Sequence, residues 1–193
     1  MKIRSKIRRQ AKRRGRRHLI IHTFHIQPFP VELLRKGRFF FEWQFVEKTW
    51  RPAYEWMTEK LSNFVGAKLT NPPIWAWEQF SSRRAQAQAV EELFGGFGGS
   101  ACATDCKRNL VHIKLKVPRK LALKSSYSVW NTMLSDHLSE NADLSRHYLK
   151  SLLFSSVNLW GTKYTQVVVP YVDPDWIVFV KKYNFRYLRY FVS

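Results

Sequence analysis

Cations and aromatic side chains interleave near the end of the chain, in a combination that suits contact with a nucleic-acid strand. Residues 181–191 read KKYNFRYLRYF. Lysine and arginine bind phosphate while aromatic rings stack on bases, and proteins that bind single strands use both. The candidate contacts there are Lys181, Lys182, Arg186, Tyr187 and Arg189. A second interpretation stays open, in which the segment is an edge strand whose cations prevent pairing with another chain.

A second cationic stretch covers residues 107–124, which contain seven Lys or Arg residues and no carboxylate. Residues 110–117 read LVHIKLKV, so apolar side chains alternate with His112, Lys114 and Lys116. This alternation predicts a half-buried strand with a basic outer face, followed by Arg119 and Lys120. If this strand lay beside the C-terminal strand, the two would form one positive surface for phosphate. The alternative is a solvated face without a ligand.

The N-terminus is the most basic part of the chain. Ten of the first 17 residues are Lys or Arg and none is acidic, and the whole chain has a formal net charge of +19. Because like charges repel and little apolar surface can be buried, we expect residues 1–17 to form a disordered arm. Its partner should be a polyanion, bound mainly through phosphate contacts. The arm's candidate contacts are Arg8, Arg9, Arg13, Arg14, Arg16 and Arg17.

These observations predict a protein that binds nucleic acid, with RNA ahead of DNA. Association with a ribosome or another nucleoprotein, or a role in phage–host conflict, would use the same chemistry. No spacing of His, Cys and carboxylates is typical of a metal site, and we expect neither a metal nor a cofactor. No apolar run approaches the roughly 20 residues of a membrane span, so we expect a cytoplasmic protein with no membrane contact.

The elements that position these residues are interspersed strands and helices without βαβ regularity. Strands are expected near residues 18–27, 38–46, 74–80, 110–117, 164–169 and 176–180. Helices are expected near residues 50–65, 81–94, 125–134 and 141–160. The predicted fold is therefore α+β, with residues 18–193 forming a single compact domain that has a small mixed sheet and several helices.

Three short segments resemble an uncharacterised prokaryotic and phage domain family. They are FHIQP at residues 24–28, AYEWM at 53–57 and PIWAW at 73–77. They resemble the family's Trp-x-Ile-Gln, Ala-Tyr-x-Trp and Pro-Ile-Trp-Ala-Trp blocks, in the same order. The family has no settled function, so this resemblance implies membership but no activity.

A second resemblance is to ADP-ribosyltransferases, and it supplies an enzymatic alternative. IHTF at residues 21–24 followed by LLRKG at 33–37 is similar to their opening strand and the short helix after it. The resemblance implies an NAD-consuming toxin or effector that acts on nucleic acid or on a protein bound to it. It would use His22 or His25 to hold the nicotinamide ribose, Tyr54 or Trp75 to stack, and Glu78 as the catalytic carboxylate. Trp75 and Trp77 should share one strand face, where they either line a pocket for a flat ligand or belong to the core.

Overall fold

A six-stranded sheet organises the part of the chain that the structure describes. The computed structural model describes residues 17–26, 35, 37–78, 90, 110–136, 153–154 and 165–182. The strands are β1 (His18–Ile26), β2 (Ile74–Glu78), β3 (Leu110–Pro118), β4 (Leu123–Ser126), β5 (Thr165–Val169) and β6 (Ile177–Lys182). The helices are α1 (Arg51–Val65) and α2 (Tyr127–Asp136).

The sheet order is β4-β5-β2-β1-β3-β6, and all five neighbouring pairs are antiparallel. The predicted fold class is therefore wrong in two respects. The sheet is larger than expected and antiparallel instead of mixed, and the described residues contain two α-helices where several were expected. The described part is dominated by its sheet. Alternating polarity predicts a strand but not the direction of its neighbour, so a mixed sheet had no basis in the sequence pattern.

The first face of the sheet carries the larger apolar core. The long β1–β3 ladder pairs Leu19 with Val117 and Ile21 with Leu115, and side chains directly opposite each other lie on the same face. Ala76 and Val167 continue this core across β2 and β5. The predicted alternation of β3 agrees with this arrangement, since its odd-numbered residues from 111 to 117 are buried on the first face.

The second face is covered by the two helices over β2, β5 and β4. Met57 and Leu61 of α1 and Trp130 of α2 are buried against Val168. Helix α1 has Pro52 in its first turn, where a missing N–H costs nothing. It ends at Gly66, whose φ of 71° is the left-handed conformation that glycine adopts most easily.

Helix α1 begins without a side-chain cap, and one predicted strand needs correction. The hydroxyl of Thr49, just before the helix, donates to a carboxylate oxygen of Glu47 over 3.0 Å. Residues 38–46 do not form a strand of the sheet. Phe39 makes an isolated antiparallel bridge with Val172, and a 3-10 turn follows over Trp43–Phe45. The predicted helices at 81–94 and 141–160 lie outside the described residues, except for Val90, Leu153 and Phe154.

Candidate nucleic-acid interface

Three predicted lysines lie together on the second face of the sheet, beyond the area that α1 and α2 cover. Strand β3 pairs with β6, so that Lys114 lies opposite Phe179 and His112 opposite Lys181. Opposite residues share a face, and Lys116 follows Lys114 by one strand repeat. Strand β3 therefore lies beside β6, which contains the first two residues of the predicted C-terminal segment, Lys181 and Lys182. The rest of that segment lies outside the described residues.

A β-bulge determines which side chain lies between these lysines. The pairing of β3 with β6 shifts between Lys114 and Leu115, so that Leu115 faces Ile177 but Lys114 faces Phe179. One extra residue, Val178, is accommodated there, and it is 50% exposed. Because of this shift, Ile177 packs on the first-face core while Phe179 lies on the second face.

Two lysine side chains lie close to the Phe179 ring, one from the same strand and one from the neighbouring strand β3. The Nζ atom of Lys181 is 4.5 Å from the ring centroid, and that of Lys114 is 5.8 Å from it. Both distances fall within the range in which an ammonium group is attracted to the ring quadrupole. The residue as a whole is half-buried.

Two histidines on neighbouring strands form a pair, and one of them, His112, contacts this ring. Nδ1 of His22 and Nε2 of His112 are 2.7 Å apart, which makes one imidazole the donor and the other the acceptor. Phe24 stacks on His112 with centroids 4.8 Å apart, and Phe179 meets the same imidazole edge-on at 5.0 Å. Only 9% of the His112 surface is exposed, so this residue lies among aromatic rings instead of on an outer face.

Both imidazoles are held in the neutral form. Burial lowers the pKa of His22 to about 4, and the nearby Lys114 acts in the same direction. Burial also lowers the pKa of His112 to about 3, with further contributions from His22, Lys181 and Lys114. At neutral pH the pair is therefore uncharged, and the positive charge of this surface comes from its lysines. We call the following residues the basic half of the second face: His22, Phe24, His112, Lys114, Lys116, Phe179 and Lys181.

Further cations lie at the end of β3. Arg119 and Lys120 are exposed in a 3-10 turn, Arg119–Leu121, directly after the strand. The backbone N–H of Arg119 donates to the carbonyl of Arg17 over 2.9 Å. Arg17, the described residue of the basic N-terminal segment, therefore lies beside this turn, where β1 begins.

No described carboxylate lies within ion-pair distance of these cations. The ion pairs found among the described residues join Arg38 to Asp173, Lys60 to Glu59 and Lys124 to Glu78. None of them involves Lys114, Lys116 or Lys181. The charge of the basic half is therefore not neutralised by the acids that the structure describes, and a polyanion could approach it.

Comparison with known proteins assigns a family. A family model described as a domain of unknown function, DUF3841, matches residues 23–170. This chain belongs to the DUF3841 family. The predicted membership of an uncharacterised domain family is thereby confirmed. No curated protein matches the chain, and no solved structure matches it.

The DUF3841 match covers one part of the basic half and leaves another part out. Lys114 and Lys116 on β3 lie inside the matched span, whereas Phe179 and Lys181 on β6 lie beyond its end at residue 170. The basic N-terminal segment also lies outside the span. In this DUF3841 protein, the proposed surface therefore combines the family domain with residues that flank it.

The residues of the transferase alternative do not meet in one place. His22 lies on the second face, whereas Glu78 lies opposite Ile21 and so belongs to the first face. Both Glu78 carboxylate oxygens are 2.6 Å from Nζ of Lys124, which occupies the carboxylate in an ion pair. His25 also lies on the first face, where its Nε2 is 3.0 Å from the Thr23 hydroxyl and burial lowers its pKa to about 4.

The aromatic residues of that alternative lie beneath the helices. The Trp75 ring is 4.5 Å from that of Trp130 and 5.9 Å from that of Tyr54, and the Trp77 ring is 4.6 Å from that of Tyr127. Burial raises the pKa of Tyr54 to about 12. Trp77 is 2% exposed. Trp75 and Trp77 share a face as expected, but that face is packed and offers no open cleft there.

Other candidate features are remote from the basic half or lie outside the described residues. A depression of about 660 Å³ lies along α1, between Trp43, Glu59 and Lys68, and none of its lining residues was a predicted contact. The described part contains no cluster of three His, Cys, Asp or Glu side chains that could hold a metal ion. Within that same part, no helix is long and apolar enough to span a membrane.

The other predicted nucleic-acid contacts do not belong to the described basic half. Lys182 lies opposite Val111 and thus on the first face. The remaining predicted contacts, Arg8, Arg9, Arg13, Arg14, Arg16, Arg186, Tyr187 and Arg189, lie outside the described residues.

Sequence reasoning missed three residues of the basic half. Phe24 and Phe179 were not candidates, and His112 was assigned to the basic outer face of β3 without a role of its own. For His112 a signal existed, because it lies at an even position of β3, whose odd positions from 111 to 117 are apolar, and this places it on the same face as the lysines. Strand β1 gives no such signal for Phe24, because Thr23 and His25 occupy odd positions of that strand.

Proposed function

We propose that this DUF3841 protein is a cytoplasmic nucleic-acid-binding protein that holds its ligand mainly through phosphate contacts on the basic half of the second face. The observation that carries the proposal is the gathering of Lys114, Lys116 and Lys181 on one face of two adjacent strands. No described acid pairs with them. A phosphate chain lying along this face would release counterions from each lysine that it contacts.

The surroundings of the lysines favour a nucleic acid over other polyanions. Aromatic rings on the face of an antiparallel sheet, flanked by cations, are the arrangement with which several RNA-binding domains stack bases. Phe179 lies on the same face as the lysines and is half-buried, whereas Phe24 lies on that face but is only 7% exposed and supports the Phe179 site through His112. For this reason we favour RNA over DNA, although phosphate contacts alone would accept either.

The proposal is tested with the triple substitution of Lys114, Lys116 and Lys181 by Gln. Binding of labelled RNA and DNA is measured by fluorescence anisotropy over a series of salt concentrations. We expect weaker binding at every concentration and a shallower salt dependence, with the slope of log affinity against log salt falling by about 2 for a single strand.

The matched control replaces Lys48, Lys60 and Lys68 by Gln, which removes the same charge from the region around α1. These residues lie before, within and just after that helix. We expect this control to bind with nearly the wild-type salt slope. If both triple variants lose the same affinity, then net charge and not this surface governs binding. If the wild-type protein binds neither RNA nor DNA at low salt, the proposal fails.

A further inference from the structure

The position of Phe179 carries an inference beyond phosphate contact. On β6 this ring lies directly opposite Lys114 and two residues before Lys181, so a cation flanks it along the strand and another across the sheet. Same-face neighbours along one strand are roughly 7 Å apart, and diagonal neighbours across two strands are separated by a similar distance. Lys114 and Lys181 are such diagonal neighbours, and their separation resembles that of consecutive phosphates in an extended single strand. If each lysine contacted one of two consecutive phosphates, the base between them would lie at the Phe179 ring.

We infer that Phe179 is a base-stacking platform, and that the basic half therefore selects single-stranded over double-stranded nucleic acid. The inference rests on the proposed function. The bases of a duplex are stacked on each other inside the helix and cannot reach a ring on a sheet face, whereas an unpaired base can leave its neighbours and stack on it.

The cations beside the ring support this assignment. The ammonium groups of Lys181 and Lys114 are 4.5 and 5.8 Å from the ring centroid. Each can move from the ring to a phosphate by rotation of its flexible side chain, because lysine has a long stem and no fixed geometry. The strand that binds would thus exchange two cation–π contacts for two phosphate contacts and one stacked base.

The bulge at Val178 gives a structural reason why this ring is available. Regular alternation after Ile177, which packs on the first-face core, would have placed Phe179 on that same core. The extra residue reverses the alternation and brings Phe179 to the basic half. Bulges commonly redirect a side chain at a binding site in this way.

The experiment compares three DNA probes of equal length. They are single-stranded oligothymidine, a single strand that has the same phosphates but no bases, and a duplex of oligothymidine with oligoadenosine. Wild-type protein should bind oligothymidine most tightly. Phe179→Leu keeps apolar bulk but removes the aromatic face, and it should weaken oligothymidine binding by roughly 5- to 100-fold while leaving abasic binding unchanged. Phe179→Trp should restore the preference. Val180→Ala, an exposed apolar change on the same strand but on the first face, is the matched control and should behave as wild type.

Each outcome separates the two proposals. If wild-type protein binds the abasic chain or the duplex as tightly as oligothymidine, or if Phe179→Leu binds oligothymidine normally, the stacking inference is overturned while phosphate binding stands. If none of the three probes binds at low salt, the proposed function itself fails. Circular dichroism of each variant establishes that a loss of binding is not a loss of folding.

Discussion

The second face of the sheet carries aromatic rings at both ends, but the neighbours of those rings differ. Over β2 and β5, Trp75 and Trp77 pack against the aromatic residues Trp130 and Tyr127 of α2. We call this the aromatic half. In the basic half, the rings of Phe24 and Phe179 contact an imidazole, and Phe179 also contacts two ammonium groups.

This difference indicates what each half contributes. The aromatic half buries large apolar area with few charges, which stabilises the fold. The basic half places neutral imidazoles beside aromatic rings, together with lysines that form no ion pair with any acid in the described part of the chain. Burial there lowers the pKa of His22 and His112, which shows that their charged forms are disfavoured. The hydrogen-bonded neutral imidazoles contribute stability, whereas lysines without a described acid partner add little to folding.

The largest expected effect is on stability, and it should be confined to the aromatic half. Trp130 is 2% exposed and contacts both Trp75 and Tyr54. Trp130→Ala should lower the free energy of unfolding by about 3–5 kcal/mol, because it removes a large buried side chain and leaves a cavity. Urea denaturation measures this change. Phe179→Ala, at the half-exposed edge of the sheet, should cost only about 1 kcal/mol. Equal losses would mean that the two halves do not differ as described.

A smaller effect concerns the pH dependence of stability. An unfolded histidine has a pKa near 6.5, whereas in the folded protein the pKa values are about 4 for His22 and about 3 for His112. Between these values the unfolded state binds more protons, so the free energy of unfolding should fall as the pH falls from about 6.5 towards 4. The stability that the neutral pair confers is fully present above pH 6.5.

The variant His112→Phe isolates this contribution. It keeps a flat ring between Phe24 and Phe179 but removes one titrating group. The slope of stability against pH should therefore decrease by up to about one proton in this range, as measured by thermal denaturation at a series of pH values. His25, whose pKa is also lowered to about 4, supplies a residual slope in the variant. An unchanged slope would show that His112 does not take up a proton on unfolding.

Much of this arrangement could be predicted from local sequence patterns. The alternation of β3 predicted the shared face of Lys114 and Lys116, and the helix expected near residues 50–65 agrees with α1. These features depend on a few neighbouring residues. The sequence does not predict that β3 and β6 are neighbours, because pairing between strands some 60 residues apart depends on the whole sheet and not on either segment.

Two features could not have been predicted by the same reasoning. The antiparallel direction of every strand pair follows from how the connections run, and no local pattern specifies it. The face of Phe179 depends on a bulge of one residue, and strict alternation from Ile177 would have assigned the ring to the buried core. Alternation along a strand therefore assigns the wrong face to residues that follow a β-bulge, and in this chain the bulge lies within the candidate site.

The smallest expected effect sharpens the comparison inside the basic half itself. Burial is the largest cause of the lowered pKa of both histidines. Lys114 also lowers the pKa of His22, and His22, Lys181 and Lys114 all lower the pKa of His112. Lys181→Gln should therefore raise the pKa of His112 and leave that of His22 nearly unchanged, while Lys114→Gln should raise both. In both variants the raised pKa values should still lie well below the ordinary histidine pKa of 6.5, because burial is the larger cause of the lowering and each variant retains it. Histidine ring signals followed by NMR across an acidic titration measure the two pKa values separately. Identical titration curves in the wild-type protein and both variants would mean that the lysines do not act on the imidazole pair, and that the basic half is not one electrostatic unit.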